Sequence, residues 1–170
     1  MKAFYTKLIE TFEKPSNKQL FLSQNISPVG YIDLYAGQDQ FEDNFELFAQ
    51  PALLVDWNID HSGDVPAVNI NFYCCYEQLR DTSNRSLNRY LGLKFLDYVA
   101  TVDQIVRGIE SEATGKMELV TEGFNKMDSI VDIYLLTYTC NGKKLKSPQQ
   151  YEEGTYDTLK LQTNLTYDID

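Results

Sequence analysis

Two runs of alternating apolar and polar residues, separated by one short turn, limit this chain's architecture more than any other feature. In the first, Leu53, Val55, Trp57 and Ile59 alternate with Leu54, Asp56 and Asn58. In the second, Val68, Ile70, Phe72, Cys74 and Tyr76 alternate with Asn69, Asn71, Tyr73 and Cys75. Successive strand residues point to opposite faces, so each run reads as a half-buried strand. Asp60-His61-Ser62-Gly63-Asp64-Val65-Pro66 between them is rich in turn formers, and the pair reads as an antiparallel hairpin.

Helical spacing flanks this hairpin. Phe4, Leu8, Ile9 and Phe12 predict an amphipathic helix over residues 3–13, ended by Pro15. Leu20-Phe21-Leu22 reads as a short strand before the turn formers Pro28 and Gly30, Tyr31 to Tyr35 alternates weakly, and residues 36–44 read as a polar connection. After Asp81–Ser86, which offers capping side chains, a stripe runs through Leu87, Leu91, Phe95, Tyr98, Val102, Ile105 and Ile109. Tyr90, Leu93 and Leu96 widen that stripe, either because the helix is buried or because it binds a partner. Met117 to Thr121 predicts a third strand, residues 122–129 a polar turn, and Ile130 to Cys140 a fourth strand before Asn141-Gly142.

Helix, hairpin, helix and hairpin in that order predict an α+β fold. Its antiparallel sheet would have about four strands, packed on one face by two helices. Residues 1–142 read as one domain and 143–170 as a C-terminal extension, an arm or an extra strand, with weak alternation at Thr158–Leu165. At 170 residues the chain is long enough to bury roughly 70% of its unfolded surface without a disulfide or metal.

Charge and cysteine usage narrow the functional classes. A formal net charge of −10, with no basic run beyond Lys143-Lys144-Leu145-Lys146, argues against gripping duplex nucleic acid, which needs cations to displace condensed counterions. Three cysteines, two of them adjacent on a strand, make no disulfide framework, and Cys74 and Cys75 point apart. They read as small buried hydrophobes in a reducing compartment. The N-terminal residues carry no secretory leader pattern and no apolar run approaches the roughly 18 residues that span a bilayer. The expected location is therefore cytosolic.

Candidate chemistry is thin. Asp56, Asp60, His61 and Asp64 form the densest polar cluster, suited in residue type to a hard cation or acid–base work, but they straddle a hairpin tip whose turn needs such residues anyway. His61 is the only histidine, so any nucleophile–histidine system depends on it. No phosphate-binding glycine loop or dinucleotide fingerprint is present, and no catalytic residue, metal or cofactor is expected. Tyr73, Tyr76, Tyr134 and Tyr138 sit on strands without flanking cations, so core or interface packing is favoured over base stacking. Tyr73, Tyr134, Tyr138, Tyr90 and Leu93 are the interface candidates.

The order Ala49-Gln50-Pro51-Ala52-Leu53-Leu54-Val55-Asp56-Trp57, a turn, Ala67-Val68-Asn69-Ile70-Asn71-Phe72-Tyr73, a helix through Phe95-Leu96-Asp97-Tyr98-Val99, and a strand ending Tyr138-Thr139-Cys140 resembles the tail-terminator (tail-completion) proteins of tailed phages and prophages. The helix Phe4–Phe12 also falls in the expected place, whereas residues 14–47 match loosely and 143–170 exceed the pattern. The resemblance rests on hydrophobic order, not on an invariant chemical motif. It implies a non-catalytic protein forming a homo-oligomeric ring, usually hexameric, that caps the tail tube and ends its polymerisation. Its partners would be further copies of itself, the tail tube protein, and a head-completion or neck protein, with no membrane and no sequence-specific nucleic acid. Assembly in the host cytoplasm would precede residence in the virion tail. Sheet edges after Gly115 or Thr158 could join copies, and Asp60, Asp64, Asp97 and Asp103 are candidates for an acidic lumen that does not hold DNA. A different connector or neck component, a small metal-dependent hydrolase and a single-strand binder are the competing readings.

Overall fold

The structure, a computed structural model, describes residues 1–76, 81–125 and 129–143. Helix α1 (Lys2–Glu13) buries Phe4, Leu8, Thr11 and Phe12 along one stripe. Lys14 is extended (φ −58°, ψ 131°), because a residue before proline is driven out of the α region. Pro15 then opens a second helix, α2 (Pro15–Leu22), where its fixed φ suits the first turn and its missing N–H costs nothing. The expected strand at Leu20–Leu22 is thus helical, with Phe21 buried against Tyr98.

Among the described residues five strands form one mixed sheet in the order β1-β2-β3-β5-β4. This corrects the expectation of about four antiparallel strands carried by two helices. Strand β1 (Tyr31–Leu34) runs parallel to β2 (Ala52–Asp60), with Tyr31 opposite Ala52 and Leu34 opposite Val55. Its four residues are too few to announce a strand by alternation. Parallel neighbours need a crossover of roughly a dozen residues, and residues 35–51 supply it in two 3-10 turns, Gln38–Gln40 and Glu42–Phe48, which follow a left-handed Gly37 (φ 80°). What reads as a polar connection is therefore ordered cover for the sheet.

The hairpin stands as expected: β2 pairs antiparallel with β3 (Ala67–Tyr76) from Ala52↔Cys75 to Asp60↔Ala67. β3 also pairs antiparallel with β5 (Asp132–Asn141), and β5 with β4 (Glu118–Asn125). Strand β4 reaches Asn125, into the segment expected to be a turn, and an irregularity between Leu119 and Thr121 throws Val120 outward.

The long helical stripe divides. Arg89–Gly92 makes a single turn, α3, with no buried residue, and α4 (Lys94–Val106) carries the core contacts through Phe95, Tyr98, Val102 and Ile105. Leu87 and Leu91, expected on the buried stripe, are exposed. With α1 and α2 that makes four α-helices among the described residues in place of the expected two.

Helices α1, α2 and α4 share one core with the sheet residues Leu53, Val55, Ile70, Phe72, Leu136 and Tyr138. The Tyr98 hydroxyl donates to the Ala52 carbonyl at 2.9 Å, fixing α4 to β2. A smaller second core lies on the opposite face, where Phe48 is buried with Ala52, Leu54, Cys75, Val131 and Ile133. Leu53 and Leu54 are consequently both fully buried, although strand alternation places them on opposite faces. All three cysteines are buried, and burial pushes the thiol pKa values of Cys74, Cys75 and Cys140 upward, away from thiolate chemistry. The Thr158–Leu165 alternation and the extension from residue 144 onward lie outside the described residues.

Candidate interaction surfaces

The 38–48 turns cover only one end of the second face. Beyond them β2, β3 and β5 align Asp56, Asn71 and Thr137 in one cross-strand row. Asn71 donates to Asp56 Oδ1 at 2.7 Å, Tyr73 donates to Asp56 Oδ2 at 2.9 Å, and Thr137 donates to Asn71 Oδ1 at 2.9 Å. Tyr73 also stacks on Tyr35, with ring centroids 4.0 Å apart. Burial, then its bond to Asp56, pushes the Tyr73 phenol well above its ordinary pKa. Asp56 is therefore a structural acceptor tied into the sheet.

The polar residues grouped by sequence separate in space. Asp60 and Asp64 are exposed with His61 at the hairpin tip. The Ser62 N–H donates to Asp60 Oδ1 at 2.8 Å and lowers that carboxyl's pKa, an arrangement that shapes a turn. Asp56 instead makes its bonds within the sheet, to Asn71 and Tyr73. Among the described residues no three His, Cys, Asp or Glu side chains are placed to hold a metal. On α4, Asp97 is exposed, and Asp103 pairs with Arg107 at 2.9 Å while accepting the Tyr138 hydroxyl. Burial, then Asp103, drives the Tyr138 phenol pKa upward.

The interface candidates likewise divide. Tyr138 is buried in the main core, edge-on to Phe72. Tyr134 is half-buried between Phe95 and Phe124, and Tyr73 is half-buried on the second face. Tyr90 is 73% exposed and Leu93 40% exposed. Along the chain they form a row with Leu87, Leu91 and Leu96, all exposed, running from the turn before α3 to the start of α4. Arg85, Arg89 and Lys94 accompany this row, and no carboxylate occurs from Thr82 to Leu96. Lys94 is anchored, donating to the Asn25 carbonyl at 2.9 Å and lying 5.8 Å from the Tyr90 ring centre.

A second exposed apolar group escaped the sequence reading. Phe41 and Phe45 are 60% and 64% exposed, and they alternate with the exposed carboxylates Glu42, Asp43 and Glu46. Two phenylalanines four residues apart in an acidic stretch are the signal that was there to find. Asp39, just before them, is 1% exposed, and neither carboxylate oxygen has a hydrogen-bond partner. Its charge helps raise the Tyr35 pKa, after burial, yet the two groups do not meet hydrogen-bond geometry. Its backbone carbonyl accepts from Ile130 N at 2.9 Å, which fastens the turns to the start of β5.

An open cleft of about 910 Å³ lies between α1 and the 110–112 loop. Lys2, Lys7 and Lys143 alternate there with Glu10, Glu110 and Glu112. Lys143 is engaged by Glu110 at 3.3 Å and the Ser111 carbonyl at 2.9 Å, so the wall is a solvated mixture of charges without a convergent acid–base set. No helix among the described residues is long and apolar enough to cross a membrane. No protein-family model matches the chain, and no curated protein does.

Proposed function

We propose that this chain is a structural assembly protein of a phage-like tail, one that caps the tail tube as an oligomeric ring, ends tube polymerisation and offers the surface to which the head is joined. The observation that carries the assembly part is the exposed row Leu87, Tyr90, Leu91, Leu93 and Leu96. Monomeric proteins seldom leave large apolar side chains together in water, and such groups mark contact surfaces. The tail-terminator part rests on the order of hydrophobic elements, in which the resembling segments supply β2, β3, α4 and β5.

The test is mass by light scattering, with negative-stain images, on the full chain alone and with tail tube protein from the same particle. Rings formed alone or on tube ends, with tubes of fixed length, are the expected outcome. Copies that join a head or portal assembly and ignore the tube would make the chain a neck component instead. A chain that ignores both and gains stability from Mg²⁺ or Mn²⁺ would return attention to Asp60, His61 and Asp64.

A further inference from the structure

The two exposed apolar groups carry opposite charge and lie on opposite sides of the sheet. The row on α3–α4 belongs to the helical layer, whose Phe95 and Tyr98 enter the main core. Phe41 and Phe45 belong to the 3-10 turns, whose Phe48 enters the second core across the sheet. The first group carries Arg85, Arg89 and Lys94, and the second Glu42, Asp43 and Glu46. With the sheet between them, the groups cannot cover one another within one molecule. A two-fold contact of either group with itself would set like charges face to face, which disfavours that pairing.

We infer that the basic row at 85–96 of one copy docks on the acidic 41–46 turns of the next, in a head-to-tail contact. Two different patches meeting across copies make a heterologous interface, the kind that closes into rings or continues as filaments. The partner is a second copy of this chain, chosen because its own surface supplies both complementary apolar groups and complementary charges. This rests on the assembly reading only in taking the chain to be oligomeric, and it does not require a phage tail.

The experiment reads self-association of the full chain by light scattering over a concentration series. Arg85→Glu with Arg89→Glu makes the row acidic, and Glu42→Lys with Glu46→Lys makes the turns basic. Each pair of changes alone is expected to weaken association by on the order of tenfold or more, since like charges then face each other. An equimolar mixture of the two variants is expected to assemble again in alternation, because every contact between unlike copies joins opposite charges. One chain carrying all four changes is expected to regain association for the same reason. Circular dichroism of each variant separates lost contact from lost fold, and all four positions are exposed. Wild-type chain that stays single at every concentration, association indifferent to either reversal, or a mixture that fails to recover would each overturn the contact. Rings on tube ends that ignore the reversals would sink this contact and leave the tail reading standing. Reversal-sensitive association without any affinity for tube would do the opposite.

Discussion

Asp39 sits where a carboxylate is least at home. It is almost wholly buried beside Tyr35 and Cys75, and neither oxygen accepts a hydrogen bond. Its main chain is useful to the fold through Ile130 and Ser129, but that service needs no side chain. Burying a polar group without a partner costs about 1–3 kcal/mol in protein mutational series. Asp39→Leu, branched at the same carbon though bulkier, is therefore expected to raise unfolding stability by about 1–3 kcal/mol, read as a higher urea midpoint at unchanged slope. A lower midpoint would mean the carboxylate has a role in the 38–48 turns that its contacts do not reveal. Asp56 makes the contrast. It is a carboxylate of the same face, and it is held by Asn71 and Tyr73.

At the scale of elements, α4 shows how far periodicity reaches. Helical spacing runs unbroken from Leu87 to Ile109, yet the helix enters the core only from Phe95. Phe95→Ala is expected to cost about 3–5 kcal/mol, because its ring lies among Tyr76, Phe124 and Tyr134. Leu87→Ala, at a fully exposed position, should stay within roughly 0.5 kcal/mol. Chemical denaturation of both variants checks the pair, and equal losses would return Leu87 to the core. The same limit governs the rest of the reading. The β2–β3 hairpin was legible because long alternation and a turn agree on one answer. β1 was not, because four residues carry no period and its pairing with β2 is set by distant cover from Phe48 and Leu47. In sequence Pro15 reads as an end because proline stops a helix, but the same φ restriction starts one. As for surface groups, the width of the stripe at Tyr90, Leu93 and Leu96 was visible, and its exposure was not. Phe41 and Phe45 were hidden by the polar residues around them.

For the whole molecule, the placement of charge matters more than its sum. Both proposed contact groups lie toward the sheet end where β2 begins and β3 finishes, marked by Ala52, Cys75 and Tyr76. The β2–β3 tip, with Asp60 and Asp64, lies at the other end of the same strands. Asp97 follows Leu96 on α4 and would sit at the rim of the contact, while Asp103 is occupied by Arg107 and Tyr138. Of the four acidic residues considered for a lumen, Asp60 and Asp64 are thus the pair free of both the contact and the core. Asp60→Asn with Asp64→Asn is expected to leave self-association within about twofold of wild type, because exposed charges beyond a Debye length of about 8 Å from the contact are largely screened. On the proposed tail reading, with the tip lining the ring's lumen, infectivity of particles carrying that variant is expected to fall, since a less acidic channel repels DNA less. Light scattering and plaque counts read the two outcomes separately. Weakened association would bring the tip into the contact and displace the geometry argued for it. Intact association with unchanged infectivity would remove the tip from the DNA path and leave the head-to-tail contact in place.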